Sequence, residues 1–250
     1  MPLRDSRPKT AAGVRRTRTQ RTDKARQRGL RTLSWRALRR RKLPCMRIQL
    51  LWIIFAYLLG SVPFGLLLGR MKGVDIRHQG SGNIGATNLA RSVGRTWGVL
   101  AFVLDFLKGT VPTLLAVSAF SQPEAELAPW LPPAVGVAAV LGHVFPLYLK
   151  LRGGKGVATA FGALTALSWP ATLAAGGVWL LLFLITRTVS VASLASALAL
   201  PIALVILRAS VPPEVYPWTL GVTIFLAVLI FARHRANLVR LFRGEEFRFR

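Results

Sequence analysis

Residues 152–162, RGGKGVATAFG, set three glycines around a lysine and then run into an apolar stretch. A phosphate-binding loop of a soluble nucleotide enzyme places a glycine five residues before its last glycine and a Ser or Thr directly after the lysine. Here those positions hold Leu149 and Gly156, so the pattern fails. The flanks decide what the loop belongs to. Apolar runs cover roughly 129–149 before it and 154–169 after it.

Working outward, the 250-residue chain is 52% hydrophobic, and its apolar residues fall in long blocks rather than at helix or strand period. A membrane span takes ~20 mostly apolar residues. Seven such segments can be drawn, at about 48–69, 96–118, 129–149, 154–169, 171–186, 190–207 and 215–232. The fourth and fifth are short and are divided only at Ser168-Trp169-Pro170. Runs such as ATAFGALTAL and ASLASALAL are rich in small residues, which let transmembrane helices approach closely. The expected fold is an all-α integral membrane protein, a compact seven-helix transmembrane bundle with a disordered basic N-terminal tail.

Charge sets the orientation. The segments 70–95, 150–155, Arg187 and the tail from Arg233 hold 15 Lys and Arg, whereas the alternate loops hold only Arg208. Basic loops stay cytoplasmic, so the C-terminus and the loops joining it face inward and residue 46 faces outward. Residues 1–45 conflict with this, because they carry a net charge of +14. They admit three readings: a basic arm, an Arg-rich transit peptide, or an extension upstream of a true start at Met46, which removes the conflict. Domain 1–45 is then a disordered extension and 46–250 the seven-span domain. A nucleic-acid role for the tail has little support, since Trp35 is its only aromatic residue for base stacking. The single Cys45 excludes an internal disulfide.

The chemistry-bearing residues gather on the cytoplasmic side. In DIRHQGSGNIGATNLARSVGR (75–95), glycines permit close backbone approach. Ser81, Asn83, Thr87 and Asn88 supply short polar groups, and Arg77 and Arg91 supply bidentate donors suited to phosphate. Gly153, Gly154 and Gly156 sit where the fourth helix begins, so its unpaired N–H groups and positive dipole end suit an anion, beside the Lys155 charge. In RHRANLVRLFRGEE (233–246), a helix continuing from the last span places His234 and Asn237 one turn apart on one face. The rival for a basic juxtamembrane helix is a headgroup anchor.

Within the second span, Asp105 and Lys108 are spaced to pair, and a structural role suits them. His143, near the end of the third, reads as a satisfied helix-end residue. The three histidines are scattered and no loop gathers carboxylates, so no metal site is expected. No histidine is followed five residues on by Asp, which removes one common acyltransferase signature. GNIGAT and GKGVAT each precede a span, hinting at a repeat and at an anion transporter. Transporter sites lie near the midplane, however, and these polar residues lie on one face.

Together GSVPFG (60–65), DIRHQGSGNIGATN (75–88), LDFLKG (104–109), GHVFPLYLKLRGGKGVAT (142–159) and HRANLVRLFRGEE (234–246) resemble one family. It is the bacterial acyl-phosphate:glycerol-3-phosphate acyltransferases, called PlsY. The likeness covers about 47–246. Leu151-Arg152 stands where Phe-Lys is expected, and Glu245 where Thr is common.

The resemblance implies transfer of a fatty acyl group from acyl phosphate to the 1-hydroxyl of sn-glycerol 3-phosphate. The products are lysophosphatidate and inorganic phosphate, in the first step of bacterial phospholipid synthesis at the cytoplasmic membrane. It implies catalytic roles for Lys155, His234, Asn237, Ser81 and Arg91. The substrate-binding set is Gly80, Gly82, Asn83, Thr87 and Asn88 in the first loop, Gly153, Gly154 and Gly156 in the second, and Ser193. Lys155 and the glycine loop would hold the acyl phosphate, and Ser81 and Arg91 the glycerol phosphate. His234 and Asn237 would orient the hydroxyl or stabilise the oxyanion. The proton acceptor is His234 or a donor phosphate oxygen. No cofactor and no nucleic acid are implied; the partners are the two substrates and the bilayer, and the chain is expected to be a monomer.

Overall fold

The computed structural model describes residues 46–122 and 127–249. The expectations for 1–45, a disordered extension and translation starting at Met46, lie outside the described residues.

Every regular element among the described residues is helical. Helix α1 covers 46–60 and α2 covers Phe64–Met71. There follow α3 (Ala86–Ser92), α4 (Arg95–Phe120), α5 (Leu131–Val144) and α6 (Val157–Leu167). The order closes with α7 (Trp169–Thr186), α8 (Val189–Ile206), α9 (Tyr216–Arg233) and α10 (Arg235–Phe242). Six helical stretches are long and apolar enough to cross a bilayer, the first being Met46–Met71. This is an all-α integral membrane protein.

The fourth expected span is realised as α6, with 11 residues. At 1.5 Å per residue that is about 16 Å, half of a hydrocarbon core. Gly156 has φ +84°, a left-handed conformation that cannot continue a helix, so the run's first residues belong to the loop. At the other end Ser168 leaves the helix and α7 starts with Pro in its first turn. What α6 lacks in length it recovers in burial, with Thr159, Ala160, Gly162, Ala163, Leu164 and Leu167 enclosed.

Close backbone approach explains the small residues. A Cβ on Gly109 of α4 would fall 2.1 Å from the Thr159 carbonyl oxygen, and one on Gly162 of α6 would fall 2.0 Å from that of Phe106. Helices α4 and α6 therefore touch main chain to main chain, the packing that small residues allow where lipid offers no hydrophobic drive.

The first span breaks at Ser61-Val62-Pro63, because Pro63 has no N–H to continue the helix. A carbonyl freed at a break inside hydrocarbon needs another donor. The Val62 oxygen takes the Phe64 N–H at 3.1 Å and, more closely, the Lys108 Nζ at 2.8 Å. The same ammonium lies 2.8 Å from Asp105 Oδ1, with both side chains buried. The expected pairing one turn apart is thus formed, and it fastens α4 to the break.

Candidate active site

The three polar loops all contribute to the wall of one cavity of about 330 Å³. Each reaches it by a different local logic.

In the first loop, Asn88 is buried and its side chain is a staple. Its Oδ1 accepts from the Ser81 N–H at 2.9 Å, and its Nδ2 donates to the carbonyls of Ile76 (2.8 Å) and Gln79 (3.0 Å). Gly80, at φ +55°, lies against that amide, where a Cβ would fall 2.5 Å from Asn88 Oδ1. Gly82 makes the next left-handed turn at φ +68°. Neither glycine lines the cavity; they bend the chain so that Ser81, Asn83, Thr87 and Arg91 do. Arg77 points elsewhere. Its guanidinium holds Asp75 at 2.5 Å in an exposed pair that keeps the Asp75 carboxyl well below the usual range. It is not among the cavity's donors, contrary to the expectation from sequence.

The second loop also departs from the expected cradle. Gly153 N–H donates to the Val144 carbonyl and Gly154 N–H to that of His143, both at 3.1 Å. These groups are committed to the buried C-terminal carbonyls of α5, which the helix itself leaves unpaired, and are not free for an anion. The glycines are there because the loop lies against α5: a Cβ would come 2.1 Å from the His143 oxygen at 153 and 2.0 Å from His143 Nε2 at 154. Arg233 grips the far side, donating to the carbonyls of Gly154 (3.3 Å) and Gly153 (3.1 Å). Lys155 and Gly156 then enter the cavity wall, followed by the unpaired first-turn N–H groups of α6 at Val157 and Ala158.

In the third cluster the helix does not continue, because α9 ends at His234 and α10 starts after it. The Ile230 carbonyl accepts from both the His234 N–H at 3.0 Å and its Nδ1 at 2.8 Å. A carbonyl only accepts, so Nδ1 carries the proton and the Nε2 lone pair is left for the cavity. Burial, helped by the Lys155 charge, lowers the His234 imidazole to about 4. It is therefore neutral at physiological pH.

Asn237 sits one turn on, with Oδ1 on Lys155 Nζ. Its Nδ2 donates to Glu246 Oε1 at 2.6 Å, which fixes the amide's sense. Glu246 also accepts from Ser190 at 3.0 Å and from Arg240 at 2.8 Å. Burial lowers the Lys155 ammonium to about 8; Glu246 opposes the shift, while Arg240, Arg91 and Arg233 add to it.

The same cavity is also lined by apolar side chains, Phe102, Phe161, Trp179 and Val189. Ser193 accepts from the Trp179 indole at 3.2 Å. Cations and aromatic surface in one cavity suit an amphiphile with an anionic head.

The comparisons with known proteins agree on one family. Residues 50–244 match the family model described as glycerol-3-phosphate acyltransferase. The chain belongs to the glycerol-3-phosphate acyltransferase family. It is 45% identical over 197 residues to the glycerol-3-phosphate acyltransferase of Aquifex aeolicus, covering 79% of this chain and 97% of that one. With the protein of the same name from Trichlorobacter lovleyi it shares 43% identity, over 82% of this chain and all of the relative. Among solved structures, it is similar to PlsY (YgiH), an integral membrane glycerol 3-phosphate acyltransferase, in its glycerol 3-phosphate form. There the TM-score is 0.73 at 44% identity, covering 81% of this chain and 96% of that one. The lysophosphatidic acid form of PlsY gives a TM-score of 0.71.

Within this family member, the residues expected from sequence divide in two. Ser81, Asn83, Thr87, Asn88, Arg91, Lys155, Gly156, Ser193, His234 and Asn237 all line the cavity, whereas Gly80, Gly82, Gly153 and Gly154 support it from behind. Glu246 and Ser190 escaped sequence reasoning. The available signal was an acidic residue at the end of an otherwise basic segment. His143 was expected to be satisfied at its helix end, but its Nδ1 has no hydrogen-bond partner among the described residues. It lies 3.6 Å from Asp105 Oδ1, and both side chains reach the cavity wall. Asp105 and His143 are thus part of the lining of the site. No cluster of three or more His, Cys, Asp or Glu suited to a metal ion occurs among the described residues.

Proposed function

We propose that the protein transfers a fatty acyl group from acyl phosphate to the 1-hydroxyl of sn-glycerol 3-phosphate, releasing lysophosphatidate and inorganic phosphate. The observation that carries this is one cavity lined both by cations, Arg91 and Lys155, and by apolar side chains, Phe102, Phe161 and Trp179. The product has a phosphate head and an acyl tail and needs both kinds of lining at once.

The donor is a mixed anhydride and already activated, so the protein's task is positioning and charge stabilisation. Ser81 and Arg91 hold the glycerol phosphate, and Lys155 with the N-terminus of α6 holds the acyl phosphate. The acceptor hydroxyl donates to the His234 Nε2 lone pair, which aims its oxygen at the acyl carbon. A new C–O bond forms, the anhydride C–O bond breaks, and its electron pair leaves on phosphate. With its imidazole lowered to about 4, His234 stays neutral, so its Nε2 is available to accept a hydrogen bond but is a poor store for a proton. The departing phosphate, whose second pKa is ~6 in esters, takes it. Lys155, braced by Asn237, faces the charge that develops.

The basic loops support a cytoplasmic active site in the bacterial inner membrane, with the C-terminus inside, and the chain is taken to act as a monomer. The test supplies purified protein with labelled glycerol 3-phosphate and either palmitoyl phosphate or palmitoyl-CoA. Lysophosphatidate from the acyl phosphate alone is the expected result. Product from the thioester alone would overturn the donor assignment.

A further inference from the structure

Beyond the last residue of the family match, the chain turns back over the site. After Gly244, at φ +72°, Glu246 enters the cavity wall, and the next residues cover Arg91. The Arg91 guanidinium lies 5.0 Å from the ring centre of Phe247 and 4.8 Å from that of Phe249, and its Nη2 donates to the Phe247 carbonyl at 3.4 Å. The segment is itself anchored. Phe249 N–H donates to the Arg187 carbonyl at 2.8 Å, and its ring meets Phe183 edge-on with centres 5.9 Å apart. Phe183 in turn stacks on Trp179 at 5.1 Å, which carries the contact into the apolar wall of the cavity.

We propose that Phe247 and Phe249 are positioning residues: they clamp the faces of the Arg91 guanidinium so that its donor edge is preset for the phosphate of glycerol 3-phosphate. This rests on the phosphate-binding role given to Arg91 above. A guanidinium offers its flat faces to aromatic rings and its edge to oxygen acceptors, so stacking and phosphate binding use different parts of one group. An unheld arginine surrenders side-chain freedom when it binds an anion, and one already stacked on two rings has surrendered most of it. Arg240, 5.5 Å from the Phe247 ring, is held on the same surface beside Glu246. The clamp thereby joins the first loop to the third.

The test compares two double variants of the full chain in detergent or lipid. Phe247→Leu with Phe249→Leu keeps apolar bulk and removes the rings' charge preference, while Phe247→Tyr with Phe249→Tyr keeps it. The leucine pair is expected to raise KM for glycerol 3-phosphate roughly tenfold, with kcat and KM for acyl phosphate within about twofold, and the tyrosine pair to match wild type. The leucine pair is then placed in an Arg91→Gln background, where its effect is expected to vanish. An unchanged or lowered KM in the leucine pair overturns the clamp, as does an equal effect in both backgrounds. If Arg91→Gln alone leaves KM for glycerol 3-phosphate unchanged, the phosphate-binding role itself fails, a distinct outcome. Should the leucine pair not accumulate in the membrane, single Phe247→Leu, which leaves the Phe249–Phe183 contact intact, gives the same comparison.

Discussion

Asn237 turns its carbonyl oxygen to the Lys155 ammonium across 82 positions of sequence, and it can face only that way. The reason is Glu246, which takes the amide N–H at 2.6 Å and lets the side chain settle in one sense. A carboxylate buried among Ser190, Asn237 and Arg240 thus orients a neutral amide, and the amide orients a charge. Glu246→Gln puts an N–H where one of two accepting oxygens stood and removes the charge. Hydrogen bonds to charged groups contribute about 1.5–3 kcal/mol, so kcat is expected to fall about 10- to 100-fold, measured by steady-state acyl transfer. A variant within twofold of wild type would show that Asn237 is oriented by something else.

The lowered Lys155 ammonium predicts a pH limb. The reaction as proposed uses the cation, and in the free protein that cation is lost as pH rises through about 8. The kcat/KM profile reports the free enzyme and is expected to drop on its alkaline side with a midpoint near that value. Lys155→Arg keeps its charge well beyond this range and should remove the limb while lowering the plateau. An alkaline limb that persists in the arginine variant belongs to another group.

His234 gives the opposite arm. Its imidazole acts as a neutral acceptor, so acid inactivation from this residue should appear only as pH falls toward 4. His234→Gln, whose amide oxygen can still accept a hydrogen bond, should retain more kcat than His234→Ala. Equal kcat in the two variants would mean that orientation of the hydroxyl does not run through this side chain.

What could be foreseen follows from what each signal physically encodes. Apolar runs encode burial in lipid, and six of the seven drawn spans appear at bilayer length, while the fourth is the short α6. The spacing of Asp105 and Lys108 encodes a helical neighbour, and the pair forms. Glycine is ambiguous, because it permits close approach without saying to what. Gly156 lines the cavity, yet Gly153 and Gly154 approach α5, and only the fold distinguishes the two uses. The role of Glu246 needed the chain to reverse at Gly244, and the break at His234 depended on one carbonyl shared by a ring and its own N–H. Neither has a periodicity to read.

The glycine loop can be tested for packing alone. A Cβ at 154 would stand 2.0 Å from His143 Nε2, and that ring is enclosed. Overpacking of this kind costs about 1–3 kcal/mol, so Gly154→Ala should lower the thermal midpoint in detergent by several degrees. Gly177→Ala, where nothing lies within 4 Å, is the control and should be neutral or slightly stabilising. Equal midpoints would place the demand for glycine at 154 on substrate rather than on His143.

The Asp105–Lys108 pair carries the sharpest stability prediction, because it lies inside the membrane and also supports the break at Val62. Lys108→Met strips Asp105 of its cation and the Val62 carbonyl of its charged donor in one step, leaving that carbonyl only the Phe64 N–H. Breaking a buried pair by removing one partner costs about 3–5 kcal/mol, most of it from the charge left behind. Asp105→Asn in the same chain removes that charge and should return part of the loss. The Val62 carbonyl still lacks the ammonium, so recovery is expected to be incomplete. A double-mutant cycle on thermal midpoints separates the two contributions. If the double variant is no more stable than Lys108→Met alone, the lysine serves the helix break and the carboxylate is held by His143 instead.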